Sequence, residues 1–197
     1  MVDNGAMENN TAQQILDVAQ DMVRNRGYSA FSYADISEQV GIRKASVHYH
    51  FPSKENLVTM LVKRYRQGMM GECDRIIHSG TDPYEQLRQF VQLYRHGLPQ
   101  DQICLCAMLA ADFAVLPAPI QAEIRAFFAD TVAWLTDLLQ QGCEAQLWLC
   151  QPSAAQEAKS LIALLQGAQL MARSAEDSDE VFDQITAPVL QAKLPPP

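Results

Sequence analysis

Residues 41–57 read GIRKASVHYHFPSKENL, and this stretch decides the fold. Gly41 permits a tight turn that a side chain would strain. Ahead of it, Ser32-x-x-Asp35 has the pattern of a capping box and predicts a short helix through Val40. After it, a third helix is expected from about Arg43 to His50. Phe51-Pro52 stops that helix, because the residue before a proline is pushed out of the α region. Ser53 is then placed to cap a long fourth helix starting at Lys54. Two short helices joined at a glycine are the elements of a helix-turn-helix. Ile36, Val40, Ile42 and Val47 are spaced to bury the contact between them. This leaves Arg43, Lys44, Ala45, Ser46, His48, Tyr49 and His50 as the outward face. Polar donors of this kind reach phosphates and base edges in a DNA major groove. So short a helix buries little alone, so the first and fourth helices must brace it.

Working outward, Thr11-x-x-Gln14 predicts the start of the first helix, and Ile15, Ala19, Met22 and Val23 give its apolar stripe. Gly27 ends it. Gly27-Tyr-Ser-Ala-Phe-Ser-Tyr-Ala-Asp-Ile36 and the quoted stretch together resemble the head of TetR/AcrR-type regulators, a likeness covering residues 11–66. The resemblance implies an all-α protein: a three-helix head with a helix-turn-helix, joined by a long fourth helix to a helical body for ligand binding and dimerisation. It implies that Lys44, Tyr49 and His50 contact phosphates or bases. It also implies that Ser32 and Tyr33 touch backbone, and that Lys54 meets a phosphate at the start of the fourth helix. Two residues depart from the family pattern: Ala45 stands where glycine is usual, and His48 where tyrosine is usual. A histidine at such a contact adds a pH dependence near the imidazole pKa.

Charge distribution agrees with this reading. The chain carries a net charge of −8, which at first argues against a nucleic-acid partner. Between Gly41 and Arg66, however, Arg43, Lys44, Lys54, Lys63, Arg64 and Arg66 face a single acid, Glu55. Beyond Arg66, acids outnumber bases sixteen to seven. A basic patch on an acidic body presents one face to a polyanion.

The remaining punctuation is also helical. Asp82-Pro83-Tyr84-Glu85 starts a helix that Leu98-Pro99 closes, and a mostly apolar helix is expected from Ile103 to Leu116. A long one follows from Ile120 to Gln141, stopped by Gly142. Ser153 precedes a helix to about Arg173, and Asp179 to Gln191 forms the last. The expected organisation is a flexible tail at 1–10, a DNA-binding domain at 11–56, a ligand-binding and dimerisation domain at 57–193, and a tail at 194–197. The polar N-terminus is no signal peptide, and no apolar run approaches a membrane span, so the expected place is the cytoplasm. Five cysteines are expected as free thiols.

By resemblance, the last two helices pair with a second copy. Leu161, Ile162, Leu165 and Ala168, with Phe182, Ile185 and Val189, are the expected homodimer interface. The middle of the body is expected to hold a small, largely apolar effector. Its candidate contacts are Met69, Met70, Leu105, Met108, Leu109, Asp112, Phe113, Phe127, Phe128, Trp134 and Trp148. Asp112 falls on an apolar stripe and needs a partner: an ion pair with Arg88, Arg95 or Arg125 is expected, with a cationic ligand as the alternative. Cys104-x-Cys106 offers an alternative, a thiol sensor of oxidants or electrophiles, although buried small hydrophobes are the plainer reading. No cofactor motif, metal set or catalytic constellation is evident, which leaves an enzyme unsupported. The expected function is a ligand-responsive regulator of a pseudo-palindromic double-stranded DNA operator, with repression the commoner mode.

Overall fold

The computed structural model describes residues 4–149 and 153–193. Nine α-helices are found among them: α1 (Asn4–Arg26), α2 (Tyr33–Val40), α3 (Lys44–His50), α4 (Lys54–Ile77), α5 (Pro83–Arg95), α6 (Leu105–Ala111), α7 (Ala118–Glu144), α8 (Ala154–Arg173) and α9 (Ser178–Gln191). The described residues contain no strand, as expected from the sequence. None of their helices is long and apolar enough to cross a membrane.

The chain forms two compact units. Of the described residues, the first holds 4–65 and 105–125, and the second 66–104, 126–149 and 153–193. The expected boundary at 56/57 falls inside α4, whose Leu57, Val58, Leu61 and Val62 are fully buried. In the first unit, Ile15, Ala19, Val23, Ile36 and Val47 fill the core with them. Helix α6 packs on α1 in this unit. The methyl of Met108 lies 3.7 Å from where a Cβ on Gly27 would stand. Gly27 has φ +81°, a left-handed helix end that a side chain would strain.

In the second unit α8 and α9 pack on each other and on α5. The Gln169 side chain is buried among them: its amide donates to the Tyr94 carbonyl at 2.6 Å and its oxygen accepts from the Cys104 backbone N–H at 3.0 Å. Both ends are thereby satisfied away from water. Arg95 on α5 holds Asp183 on α9 through two bonds of 2.9 and 3.0 Å.

Several boundaries differ from the sequence expectation. Helix α1 begins at Asn4, not Thr11, because Ala6, Met7 and Glu8 are compatible with a helix and nothing forces a cap at Thr11. Helix α6 ends at Ala111 because Asp112 leaves the α region, at φ −102° and ψ 16°, and a single 3-10 turn, Phe113–Val115, follows. Asp112 is therefore off the buried stripe, and no ion pair among the described residues includes it. Arg88 pairs with Glu85, Arg95 with Asp179 and Asp183, and Arg125 lies 4.8 Å over the Phe113 ring. Helix α7 passes through Gly142 to Glu144. That glycine leaves room for Trp148, whose ring carbon would sit 1.9 Å from an added Cβ. Cys73, Cys104 and Cys106 are buried free thiols, but Cys143 is disulfide-bonded, so the expectation of free thiols fails there. Composition and compartment bear on disulfides only statistically, and local proximity decides them. Cys150 and the tail at 194–197 lie outside the described residues.

The expected dimer stripe is largely internal. Leu161, Ile162, Leu165, Ala168 and Phe182 are buried within the chain's own core. The reason is that α8 turns its strongest apolar face to α5 and α9. Ile185 and Val189 remain part-exposed.

Candidate nucleic-acid interface

The head is set by local chemistry before any tertiary contact. Ser32 caps α2: its N–H and hydroxyl donate to the Asp35 carboxylate at 2.6 and 2.8 Å, and its oxygen accepts from the Asp35 N–H at 3.5 Å. The hydrogen bonds from Ser32 hold the Asp35 carboxyl below its ordinary pKa. Gly41 ends α2 in the left-handed region at φ +76°, and its N–H donates to the Ser37 carbonyl at 3.0 Å. Ile42 donates to the same carbonyl at 3.0 Å, which closes the turn and starts α3 two residues later.

Val47 is fully buried and turns α3 so that its opposite side faces outward. Arg43, Lys44, Ala45, His48 and Tyr49 are exposed, and Ser46 and His50 are half-buried. Tyr49 is 71% exposed, far more than an aromatic ring with a packing role would be. Arg43 and Lys44 form no ion pair among the described residues. This face offers two free cations, a phenol and two imidazoles from one short helix.

Three residues carried over from the resemblance point elsewhere. Tyr33 is buried, and its hydroxyl donates to the Phe51 carbonyl at 2.8 Å. Burial, with a smaller contribution from Tyr28, pushes its pKa up to about 12. Its ring meets that of His48 at a tilt of 59°, with the centroids 4.7 Å apart, so it supports the outward face from below. Ser32 is exposed, but its hydroxyl is committed to the cap. Lys54 folds inward: its ammonium donates to the Phe31 carbonyl at 2.5 Å and sits 4.1 and 4.7 Å from the rings of Phe31 and Tyr28. Burial lowers its pKa. Tyr33 and Lys54 thus hold the head together, a role signalled in sequence by the aromatics at 28, 31 and 33. The basic count shrinks likewise, because Arg64 pairs with Asp17 at 2.7 Å and Arg66 with Asp130 at 3.2 Å. Arg43, Lys44 and Lys63 keep their charge outward.

The expected effector contacts are not gathered in one place. Leu105, Met108, Leu109, Asp112 and Phe113 belong to the first unit, where Leu105 and Leu109 are core. Met69, Met70, Phe127, Phe128, Trp134 and Trp148 belong to the second. There Trp134 lies 5.0 Å from Phe90, which is 5.5 Å from Tyr94, and Phe127 touches Phe128 edge-on at 5.3 Å. The sequence reading missed Gln166. Both polar atoms of its side chain are buried without a hydrogen-bond partner, as is the Trp134 indole nitrogen. Cys104 and Cys106 are buried, at 1% and 0% exposure.

Comparison with known proteins bears on the whole chain. Residues 15–61 match the family described as bacterial regulatory proteins, tetR family. A crystal structure of a TetR-family transcriptional regulator from Agrobacterium tumefaciens is 36% identical, over 96% of this chain and 100% of that one, with a TM-score of 0.90. Nucleoid occlusion factor SlmA of Vibrio vulnificus is 29% identical over 90 residues, 45% of this chain and 46% of that protein. HTH-type transcriptional repressor KstR2 of Mycolicibacterium smegmatis is 31% identical over 74 residues, 38% of this chain and 36% of that protein. The matches therefore span under half the length of both curated relatives.

Proposed function

From the premise that this chain belongs to the TetR family and is a DNA-binding transcriptional regulator, we propose that it acts in the cytoplasm as a homodimeric repressor released by a small effector. The observation that carries the reading is the outward face of α3, where Arg43, Lys44 and Tyr49 are exposed on a frame that Tyr33 and Lys54 hold rigid. Repression is supported by the likeness of the head to a protein named as a transcriptional repressor.

The dimer would use the other side of α8. Residues 160–172 carry no charge, and Ala163, Leu170 and Met171 are exposed, the last two at 55% and 61%. With half-buried Gly167, Ile185 and Val189 beside them, a second copy would cover an apolar face that water otherwise meets. The effector would bind in the second unit, near Trp134 and Gln166. Buried polar atoms without partners are few in native proteins and costly to leave so, which suits a ligand that is apolar in body and carries hydrogen-bonding groups. A ligand favouring a body geometry that respaces the two heads would lower operator affinity, and about 1.4 kcal/mol of differential binding suffices for a tenfold change.

Selection of bound sequences from a random double-stranded library tests the reading. A two-fold head pair should enrich an inverted repeat with half-sites about one helical turn, or a multiple of it, apart. Enrichment of single half-sites, or of no sequence at all, would overturn the dimeric repressor.

A further inference from the structure

Helices α2, α4, α5, α8 and α9 each begin on a residue suited to cap them. Ser32, Ser53, Asp82, Ser153 and Asp177 accept, through their side chains, a backbone N–H from the first turn that follows. Helix α3 does not begin this way. The residue before it is Arg43, extended at φ −74° and ψ 144°, and no side-chain hydrogen bond caps the helix. A guanidinium carries only donors, so it cannot accept an N–H. Serine, threonine, aspartate or asparagine there would satisfy one of the unpaired donors of the first turn. The arginine therefore costs the head some stability.

Arg43 is exposed and forms no ion pair among the described residues. In a helix-turn-helix the N-terminal residues of the second helix meet base edges. A phosphate contact alone does not call for arginine at this position. A serine hydroxyl donates to phosphate and caps the helix as well, and Lys44 beside it already offers an exposed cation. What a serine lacks is a planar fork with two parallel N–H donors. The matching pair of acceptors in the major groove is O6 and N7 of guanine.

We propose that Arg43 is a specificity-determining residue, donating two N–H bonds to O6 and N7 of one guanine in each operator half-site. This rests on the reading of α3 as the helix in the major groove, and adds which base is selected and by which side chain. Selection from a random double-stranded library by the wild-type chain, repeated with Arg43→Ser, tests it. The wild-type motif should hold one invariant G·C pair in each half-site. On duplexes carrying that motif, exchanging the pair should weaken wild-type binding by about tenfold, as should replacing its guanine by 7-deazaguanine, which lacks the N7 acceptor. Arg43→Ser should fold with a melting temperature at or above wild type, since serine can cap α3. It should bind all four pairs at that position within about twofold of one another while keeping the rest of the motif. Three results would overturn the assignment while leaving the chain a DNA-binding regulator: a wild-type motif without an invariant guanine, an unchanged motif in Arg43→Ser, or a loss of affinity equal on every sequence, as a phosphate contact gives. A wild-type chain that enriches no sequence would instead overturn the reading of α3, and the assignment with it.

Discussion

Lys44 and Tyr49 stand outside the packed head, so their contributions separate cleanly from folding. Lys44→Ala and Tyr49→Ala should each weaken operator binding by about 1–3 kcal/mol while leaving the melting temperature near wild type. Titration of a selected operator, alongside a thermal melt, checks both. Wild-type affinity in the two variants would dismiss α3 as the reading helix. Tyr33 should behave in the opposite way. Its hydroxyl closes the buried bond to Phe51, and its pKa in the fold is about 12 against an ordinary 10.0. The unfolded chain therefore loses this proton first, so the contribution is complete below pH 10.0 and fades as pH climbs towards 12. Tyr33→Phe should lower stability at neutral pH by about 0.5–1.5 kcal/mol and flatten the alkaline decline. Denaturant titrations from pH 7 to 11 would show it, and parallel curves for the two proteins would refute it.

At the scale of the helices, the caps were legible and the interruptions were not. Ser32, Gly41, Asp82 and Ser153 announce their boundaries because each acts within three or four residues along the chain. Asp112 and Gly142 mislead because tertiary surroundings decide them: one leaves the helical region within an apolar run, and the other is a glycine kept for a neighbouring ring. The same limit explains the dimer stripe, since periodicity marks the buried face of α8 without saying whether the chain or its copy buries it. It also explains Tyr33 and Lys54, whose residue types suit a phosphate contact and a buried hydrogen bond equally well. Gly142→Ala tests the packing account. The added methyl must displace Trp148, with an expected loss of about 1–3 kcal/mol and a red-shifted tryptophan emission. Unchanged stability and emission would mean that the ring does not depend on that glycine.

For the whole molecule, assembly and folding should separate on α8. Met171→Arg or Gly167→Glu alters the uncharged outer face and should give a folded monomer in light scattering, with weakened operator binding. Leu165→Arg, at a position with 0% exposure, should instead impair folding itself. A dimer that survives both outer substitutions would place the interface elsewhere. Acidic residues beyond Arg66 also give the body a sign opposite to the outward cations of α3, so a mispositioned body is repelled by the duplex.

The clasp that Tyr33 and Lys54 form beneath α3 uses a hydroxyl, an ammonium and two main-chain carbonyls, and none of them belongs to the outward face. The reading surface is consequently a replaceable cassette. Operator preference can drift through substitutions at Arg43, Lys44 and Tyr49 without eroding the scaffold, which gives duplicated copies of such a gene a short path to orthogonal wiring. The same partition tells a builder of synthetic circuits where to cut: a grafted segment should run from position 43 to 50, keep a valine at 47 for the core, and leave both halves of the clasp with the recipient.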